Sequence, residues 1–569
     1  MRRGILSFWF LVMCGIAAAQ EGGEMEAIMK MAGAVSAEDM DSYEVERLSD
    51  FLDHPLKINL VSSSRLSSSG LFTRFQVASL IDYRARHGNV MSLAELAAVD
   101  GFGEDFVARL APFVSLESQS VGLMKEPVRN DLAVRGAFKW NESKDWNAGL
   151  KYRLEARGFS ISLAASRAYG GTGVKPSDCS GSVEYDFRKI RGKVLLGDFN
   201  ARFGQGIVLW NGAFMTSLST PSAFMKKPSG LSRSWSYTGG AALTGAAAEI
   251  GVEGFTFSAL LAAPGVKAAA RHPDKVHLMP SANISWQCRH GQISMTYVAE
   301  ISDFRAKDGA STRIPVMKTS ADAAFCIRGA NIYGEAAYDW VDRNVGVLAG
   351  IDFKACENVR LAALCRYFPG ELYGTAFGGA FRSGTFSVDA VHYPIPKDAS
   401  ANHSIQVKSQ VDWNWTVGQS FSIRMRASER YRTWGNNFRS ELRGDFSYSS
   451  GAFVATVRLN ALHCENIALA GYLEEGYKSE SFSIYARQTI FKADDWDDRI
   501  YVYERDAPGN FNVPALYGRG WSASLVASAK TASLLRLFVR ISYTGYHLMP
   551  AEKRKPGKAE LKLQMVFRF

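Results

Sequence analysis

Apolar and polar residues alternate with a period of two from about residue 128 to the end of the chain. The last nine residues show this most clearly. One face of the strand that they predict carries Leu561, Leu563, Met565, Phe567 and Phe569. The residues between them are mostly polar, and a terminal aromatic residue beside an apolar face is typical of the closing strand of a transmembrane β-barrel. A soluble sheet can show the same alternation, so the rest of the chain must decide.

The same alternation recurs at residues 150–157, 183–188, 421–428 and 441–448. In a soluble sandwich the charged face would meet bulk water, whereas in a large barrel it lines a wet lumen where acids and bases pair. Strand-like stretches follow each other roughly every 20–25 residues. We therefore predict an all-β transmembrane antiparallel barrel of about 14–20 strands over residues 119–569, with an even number if both ends are periplasmic.

The amino terminus predicts export. Arg2 and Arg3 precede an apolar run at residues 5–16, and small residues at 17–19 offer a cleavage site, so residues 1–19 are interpreted as a signal peptide. Cys14 raises the alternative of a lipoprotein, but Met13 stands where a small residue should precede the cysteine. No later segment supplies about 18 consecutive apolar residues, so no spanning helix is expected.

Composition and charge divide the chain. Hydrophobic residues make up 47% and aromatic residues 12%, which is rich for a soluble secreted protein. Residues 21–118 hold 8 basic and 16 acidic residues, whereas residues 119–569 hold 56 basic and 40 acidic ones. The negative balance lies within residues 20–56, an acidic segment with helical signals that Pro55 ends. The sequence thus predicts an acidic head before a basic barrel.

Residues 57–118 predict short helices at 64–66, 74–87, 92–99 and 104–110, separated by glycines. Residues 58–60, 81–84, 92–96 and 99–103, with Gly88, resemble in order and spacing the helix-hairpin-helix pair of competence-type DNA receptors. In such a hairpin, a Gly-apolar-Gly turn exposes backbone N–H groups beside a helix N-terminus, where they can hold a phosphate. The resemblance implies a small all-α helix-hairpin-helix domain that binds duplex DNA.

The candidate nucleic-acid-binding residues are the second turn and the nearby arginines. They are Arg84, Arg86, Gly101, Phe102, Gly103 and Arg109. The first turn departs from the pattern, because it is Leu71-Phe72-Thr73, and Glu104 and Asp105 follow the second turn, where carboxylates repel a phosphate. Two interpretations stay open: a DNA-binding domain, or a protein-contact or plug domain that keeps only the fold.

The whole chain resembles a family of bacterial outer-membrane proteins named for such an N-terminal domain. The barrel residues that carry this resemblance lie at 196–199, 203–206, 494–501 and 514–520. Gly204 and Gly206 predict a bend or a close backbone approach, and Asp198, Arg202 and Gln205 a lumen network. The family implies the fold and the membrane and supplies no reaction.

No enzyme is predicted. The nine histidines are scattered, with neither an HExxH pair nor a GxSxG elbow, although a triad assembled only in space stays an alternative. We predict no catalytic residue, no cofactor and no metal site, since the acidic cluster 494–498 lacks the Gly and the terminal Glu of a calcium loop and is better interpreted as an exposed turn. Six cysteines follow residue 20, none in a CxxC pair, and we interpret most as small fillers on strands.

Two functions follow. In the first, an outer-membrane barrel handles DNA or another polyanion, with its helical domain in the periplasm and arginines such as Arg424, Arg426, Arg430 and Arg432 attracting phosphate. In the second, the barrel is a transporter or an assembly protein unrelated to nucleic acid, and the acidic head docks at its basic mouth as a plug. The expected partners are outer-membrane lipid, duplex DNA in the first hypothesis, and other envelope proteins.

Overall fold

The protein is described from a computed structural model. It covers residues 23–118, 128–141, 144–156, 158–171, 173–187, 191–211, 218, 220–237, 242–263, 275–288, 290–306, 309–397, 403–435, 438–531, 534–546, 549 and 555–569, with the backbone alone at 275–277, 302–306 and 309–315. The predicted signal peptide at 1–19 and the junction at 119–127 lie outside these residues. No helix in the covered ranges is long and apolar enough to cross a membrane.

A closed antiparallel β-barrel forms the body of the protein. The barrel is closed because its first strand pairs with its last, and within the described residues 24 strands form its wall, while the short strand Gly230–Arg233 pairs in addition with Gly192–Arg202. The strands are Arg129–Trp140, Lys144–Ala156, Phe159–Arg167, Asp178–Phe187, Gly192–Arg202, Leu243–Val252, Phe255–Ala263, Lys275–Cys288, Gly291–Ala306, Gly309–Ile327, Ala330–Asp339, Asn344–Cys356, Val359–Phe368, Leu372–Phe381, Gly384–Tyr393, Ser404–Val417, Phe421–Arg432, Phe438–Ser450, Phe453–His463, Ile467–Lys478, Phe482–Ala493, Gly518–Thr531, Leu535–Gly545 and Lys558–Arg568.

The predicted barrel is confirmed, but 24 strands exceed the expected 14–20. Strands such as Leu243–Val252 and Leu372–Phe381 are rich in Ala and Gly, so they lack the alternation that marks a strand in the sequence. Counting only clearly alternating stretches therefore missed several strands. The number is even, as expected for a barrel with both ends on one side.

The outer surface of the wall is apolar and the inner surface polar. On the last strand Leu563 and Met565 are exposed on the outside, whereas Gln564 between them is buried in the lumen. Phe569 extends this outer face, and its backbone N–H and C=O both bond with Asn130. A closed barrel with this surface satisfies its backbone without water and is the architecture of an outer-membrane β-barrel.

Aromatic side chains lie in two rings on the outside of the wall. Near one end, Phe421 packs against Tyr448, with ring centroids 4.7 Å apart. Near the other end, Tyr367 stacks on Tyr373 at 5.0 Å. Such aromatic girdles mark the two interfaces between membrane and water.

The two ends of the barrel differ in their connections. At the end that holds both ends of the barrel chain, successive strands are joined by two to four residues. The opposite end carries the long connections 203–242 and 494–517. In bacterial barrels the short turns face the periplasm and the long loops face outward.

A helical domain, residues 23–118, occupies the lumen, and we call it the plug. Its helices are α1 (Glu24–Ala32), α2 (Ser42–Asp53), α3 (Ser63–Ser69), α4 (Arg74–His87), α5 (Leu93–Ala97) and α6 (Gly103–Leu110). The described residues of the two predicted units, 20–56 and 57–118, contribute to one apolar core that runs from Ile28 to Val114. Thr73 begins α4 with a capping box to Gln76.

Candidate functional site: the plug and the barrel wall

The acidic residues of the plug lie against basic side chains of the wall. Asp39, just before α2, accepts hydrogen bonds from the Arg426 guanidinium, with Oδ1 3.0 Å from Nη1. Arg426 is 6% exposed and also donates to Asp412 of the neighbouring strand at 2.6 Å. Arg426 therefore binds one carboxylate of the wall and one of the plug, and it loses the second of these partners when the plug leaves.

Glu38 lies beside Asp39 and binds two further arginines of the wall. Arg443 is 3.4 Å from its Oε2, and Arg458 forms an ion pair with Oε1. The backbone N–H of Tyr503, in the long loop 494–517, donates to the same oxygen at 2.8 Å. Burial on its own would raise the pKa of Glu38, but the two arginines hold that pKa well below its usual value.

Helix α2 makes a second set of contacts on another part of the wall. Arg153 donates to both oxygens of Asp50 at 2.8 Å and to Asp131 of the first strand at 3.0 Å. His54 lies between the same two carboxylates, 3.2 Å from Asp50 and 3.3 Å from Asp131. Glu46, one turn earlier, pairs with Lys151. This cluster fastens the carboxyl-terminal half of α2 to the first two strands.

The plug is held around much of the lumen. The last carboxylate of α2, Asp53, pairs with Arg536 at 2.9 Å and Arg568 at 2.8 Å on the last two strands. On α3, the charges are reversed, because Arg65 of the plug pairs with Glu184 of the wall at 3.1 Å. The expected docking of an acidic head on a basic barrel is thus observed, inside the lumen and not merely at its mouth.

Two long connections also fold inward and meet the plug from the opposite end. Ser222, in the connection 203–242, donates to the Gly33 carbonyl at 2.9 Å. In the connection 494–517, Arg505 pairs with Glu474 of the wall at 2.8 Å and Asp506 with Lys562 at 2.5 Å. Asp498 was interpreted as part of an exposed turn, but it is fully buried and accepts the backbone N–H groups of Glu465 and Asn466. That interpretation is wrong for Asp498, because these amides fix the start of the loop.

The glycine motif at 203–206 contributes to the lumen network that the sequence predicts. Gly204 has a φ of 59°, and a Cβ there would lie 2.7 Å from the Glu335 carboxylate. The backbone N–H groups of Gln205 and Ile207 donate to that carboxylate at 2.7 and 3.1 Å. The motif therefore permits a backbone turn to hold an acid of the facing wall, which is a structural role.

The arginines predicted to bind nucleic acid have other partners. The Arg84 guanidinium donates to the carbonyls of Ile58, Asn59 and Val61 at 2.7–3.1 Å, so it fixes the loop after the acidic segment. Arg86 pairs with Asp82 at 2.8 Å on the exposed face of α4. Arg109 donates to the Asp105 carbonyl at 3.1 Å.

The second predicted turn lies at the surface of the plug. Gly101 and Gly103 are exposed, with φ of 83° and 66°, and Phe102 between them is buried against Phe72 and Phe106. The exposed residues after the turn are Glu104 and Asp105, in the first turn of α6. Carboxylates follow the turn directly, whereas Arg109 lies in the last turn of α6, and DNA binding at the Gly101–Gly103 turn stays a prediction.

Metal and thiol chemistry finds no centre within the described ranges. No group of His, Cys, Asp and Glu side chains there could hold a metal ion. The six cysteines from Cys179 to Cys464 are all free.

Comparison with known proteins gives little beyond the fold. No protein-family model matches the chain. No curated protein matches it. Among solved structures, OccK11 (OpdR) of Pseudomonas aeruginosa is 8% identical, with a TM-score of 0.30 over 78% of this chain and 96% of that one. The translocation pore of the P pilus usher PapC is 9% identical, with a TM-score of 0.37 over 78% and 99%. The siderophore receptor PirA of Pseudomonas aeruginosa is 8% identical, with a TM-score of 0.37 over 78% and 80%. Similarity at this level carries no argument about function. The assignment of the barrel is based on the strand pairing of this chain.

Proposed function

We propose that this protein is an outer-membrane transport protein whose N-terminal helical domain is a removable plug in the periplasmic half of the lumen. The observation that carries the proposal is the set of ion pairs between plug carboxylates and wall arginines, above all Asp39 with Arg426 and Glu38 with Arg443 and Arg458. A barrel of 24 strands is wide enough to need a plug if the membrane is to stay sealed.

Charge pairs suit a plug that must leave or shift. An apolar interface of the same area would gain stability from burial alone, whereas these pairs depend on partners that another charged group can replace. The plug also keeps its own apolar core, which includes Leu48, Leu80 and Phe113. This core lets the plug move as a folded unit.

The DNA-handling hypothesis is the weaker one. Arg424 and Arg426, which were predicted to attract phosphate, are paired with Glu26 at 3.7 Å and Asp39 at 2.5 Å of the plug. A polyanion in the lumen would have to displace these carboxylates and would meet the remaining acids of the plug. The predicted helix-hairpin-helix assignment can hold without DNA binding, since the same helices serve a plug.

The experiment that tests the plug is ion conductance of the purified protein in planar bilayers. We expect small, rare openings in the unmodified protein and frequent large openings in the double variant Glu38→Gln, Asp39→Asn. A matched control is Glu104→Gln, Asp105→Asn, which removes the same charge from exposed positions of the plug. Equal conductance in all three proteins would contradict a plug held by charge.

A further inference from the structure

A cavity of about 270 Å³ lies inside the barrel where three parts of the chain meet. The wall contributes Arg135 and Arg540, the plug contributes Ser42 and Glu46, and the inward loop contributes Asp506 and Asn510. Arg135 pairs across the seam with Gln564 near the middle of the first strand. The cavity thus lies at mid-height of the wall, between the plug and the loop.

Three polar groups in the lining of this cavity are buried without a hydrogen-bond partner. Tyr237 is 5% exposed and Arg540 is 4% exposed, and both line the cavity. Among the described residues, the hydroxyl of Tyr237 and the Nε atoms of Arg135 and Arg540 are buried without a hydrogen-bond partner. A buried donor without an acceptor is unfavourable, so three of them around one cavity favour a ligand rich in acceptors.

The charges of the lining also favour an anionic ligand. Lys562 is neutralised by Asp506, Arg540 by Glu504 and Glu560, and Glu46 by Lys151 outside the cavity. Arg135 differs from these groups.

The Arg135 guanidinium donates to the Asn510 side chain and lies 3.6 Å from the centre of the Tyr237 ring. Among the described residues, no carboxylate forms an ion pair with Arg135; Glu46 and Asp506 pair with Lys151 and Lys562. Lys151 also contacts the Tyr237 ring, with its Nζ 4.1 Å from the ring centre. Arg135 is therefore a fixed positive charge of the cavity that an anion can neutralise.

We propose that this cavity binds a small organic or inorganic oxyanion, held by Arg135 and by the hydroxyl of Tyr237. One water molecule takes about 30 Å³ of liquid. A cavity of about 270 Å³ therefore has room for a solute the size of a dicarboxylate or a phosphate. Such an anion touches the wall, the loop through Asn510 and the plug through Ser42. The inference that the anion is a transported solute rests on the proposed transport function. The inference that the anion binds in this cavity is independent of that function.

The test is isothermal titration of the full-length detergent-solubilised protein with succinate and with inorganic phosphate, at constant physiological ionic strength. Glucose serves as a neutral probe of similar size. We expect saturable binding of at least one of the two anions and none of glucose. Absence of saturable binding for both anions, or binding of glucose as tight as that of the anions, overturns the proposal.

Two substitutions locate the binding. Arg135→Gln keeps a donor for Asn510 but removes the charge, and we expect affinity to fall about tenfold or more. Tyr237→Phe removes one oxygen, and we expect a loss of about threefold. The matched controls are Arg360→Gln, an exposed arginine outside the cavity, and Tyr333→Phe, another buried unpartnered hydroxyl on a distant strand. Neither control should alter the affinity.

Unchanged binding in both Arg135→Gln and Tyr237→Phe would place the anion elsewhere and overturn the site. If Arg135→Gln fails to fold, as judged by the shift in gel mobility on heating, Tyr237→Phe carries the test alone. The outcome is separate from that of the conductance experiment. If the plug variants open the pore while no anion binds, the transport proposal stands and the anion site falls.

Discussion

Asp131 on the first barrel strand and Arg568 on the last are cross-strand partners, and each also binds the plug at the carboxyl-terminal end of α2. Asp131 lies 3.3 Å from His54, and Arg568 lies 2.8 Å from Asp53. The place where the barrel closes on itself is therefore also a place where the plug is attached. Loss of the charge of Asp131 or Arg568 should therefore weaken both the closure of the barrel and the attachment of the plug.

Arg153→Ala should destabilise this region strongly. Arg153 is 3% exposed and binds Asp50 and Asp131 together, so its removal deprives the buried Asp131 and the partly buried Asp50 of their shared guanidinium. We expect a loss of about 3–5 kcal/mol in the free energy of unfolding, measured by denaturant titration of tryptophan fluorescence. The matched control is Arg360→Ala, whose partner Asp352 forms an exposed pair worth about 0–1 kcal/mol. Similar losses in the two variants would contradict the importance of the cluster.

His54 should make the attachment of the plug weaken as the pH rises. Burial lowers the pKa of His54, but the hydrogen bonds to Asp131 and Asp50 outweigh it and raise the pKa above its usual value. The stabilisation from protonated His54 is fully present below the unfolded pKa of about 6.5 and is lost as the pH rises through the folded pKa. Bilayer conductance recorded from acidic to alkaline pH should increase across that range. His54→Gln should remove this dependence.

The carboxylates of the plug should respond at the other end of the pH scale. Burial raises the pKa of Asp50, but Arg153 and His54 together hold it well below its usual value. Stabilisation from such a carboxylate is present above its unfolded pKa, near 4, and is lost only as the pH falls through the lower folded value. Limited proteolysis of the plug should therefore stay slow at mildly acidic pH. Rapid cleavage already near pH 5 would contradict these ion pairs.

Phe569 should be needed for insertion of the barrel. Its side chain is 64% exposed on the outer face, and its backbone closes the sheet on Asn130. Deletion of Phe569, or Phe569→Asp, should reduce the fraction of protein that reaches the heat-modifiable folded form in the outer membrane. Phe569→Trp keeps an aromatic residue at the interface and should insert normally.

Binding of duplex DNA tests the predicted nucleic-acid site directly. We expect little affinity in the full-length protein at physiological salt, because Glu104 and Asp105 follow the Gly101–Gly103 turn and Arg84 is occupied by backbone carbonyls. The measurement is fluorescence anisotropy of labelled DNA across a salt series. Tight binding that falls steeply with salt and is lost in Arg86→Ala, Arg109→Ala would restore the DNA hypothesis.

The sequence predicts the elements of this protein better than their assembly. Alternation identifies the wall, and Arg74–His87 begins and ends where the sequence predicts. The partner of Asp39 could not be predicted, since Arg426 lies 387 residues away and charge attraction does not specify one partner among many. The opposite net charges of residues 20–56 and of the barrel were the available signal, and they predicted docking without its place. The loop 494–517 gave no sign that it folds inward, because the contacts that hold it there, such as that of the Tyr503 backbone with Glu38, join residues far apart in the chain.

Attachment of the plug at the seam has a consequence for the order of assembly. Helix α2 is synthesised before any barrel strand, yet it binds Arg153 of the second strand through Asp50 and Arg568 of the last strand through Asp53. A plug bound to the first strands presents Asp53 to Arg568 when the final strand arrives, and so it draws together two edges separated by more than 400 residues of chain. The plug can therefore act as a template on which the sheet closes. In a barrel that closed without the plug, Asp131 of the first strand and Arg568 of the last strand would each lack their partner from the plug.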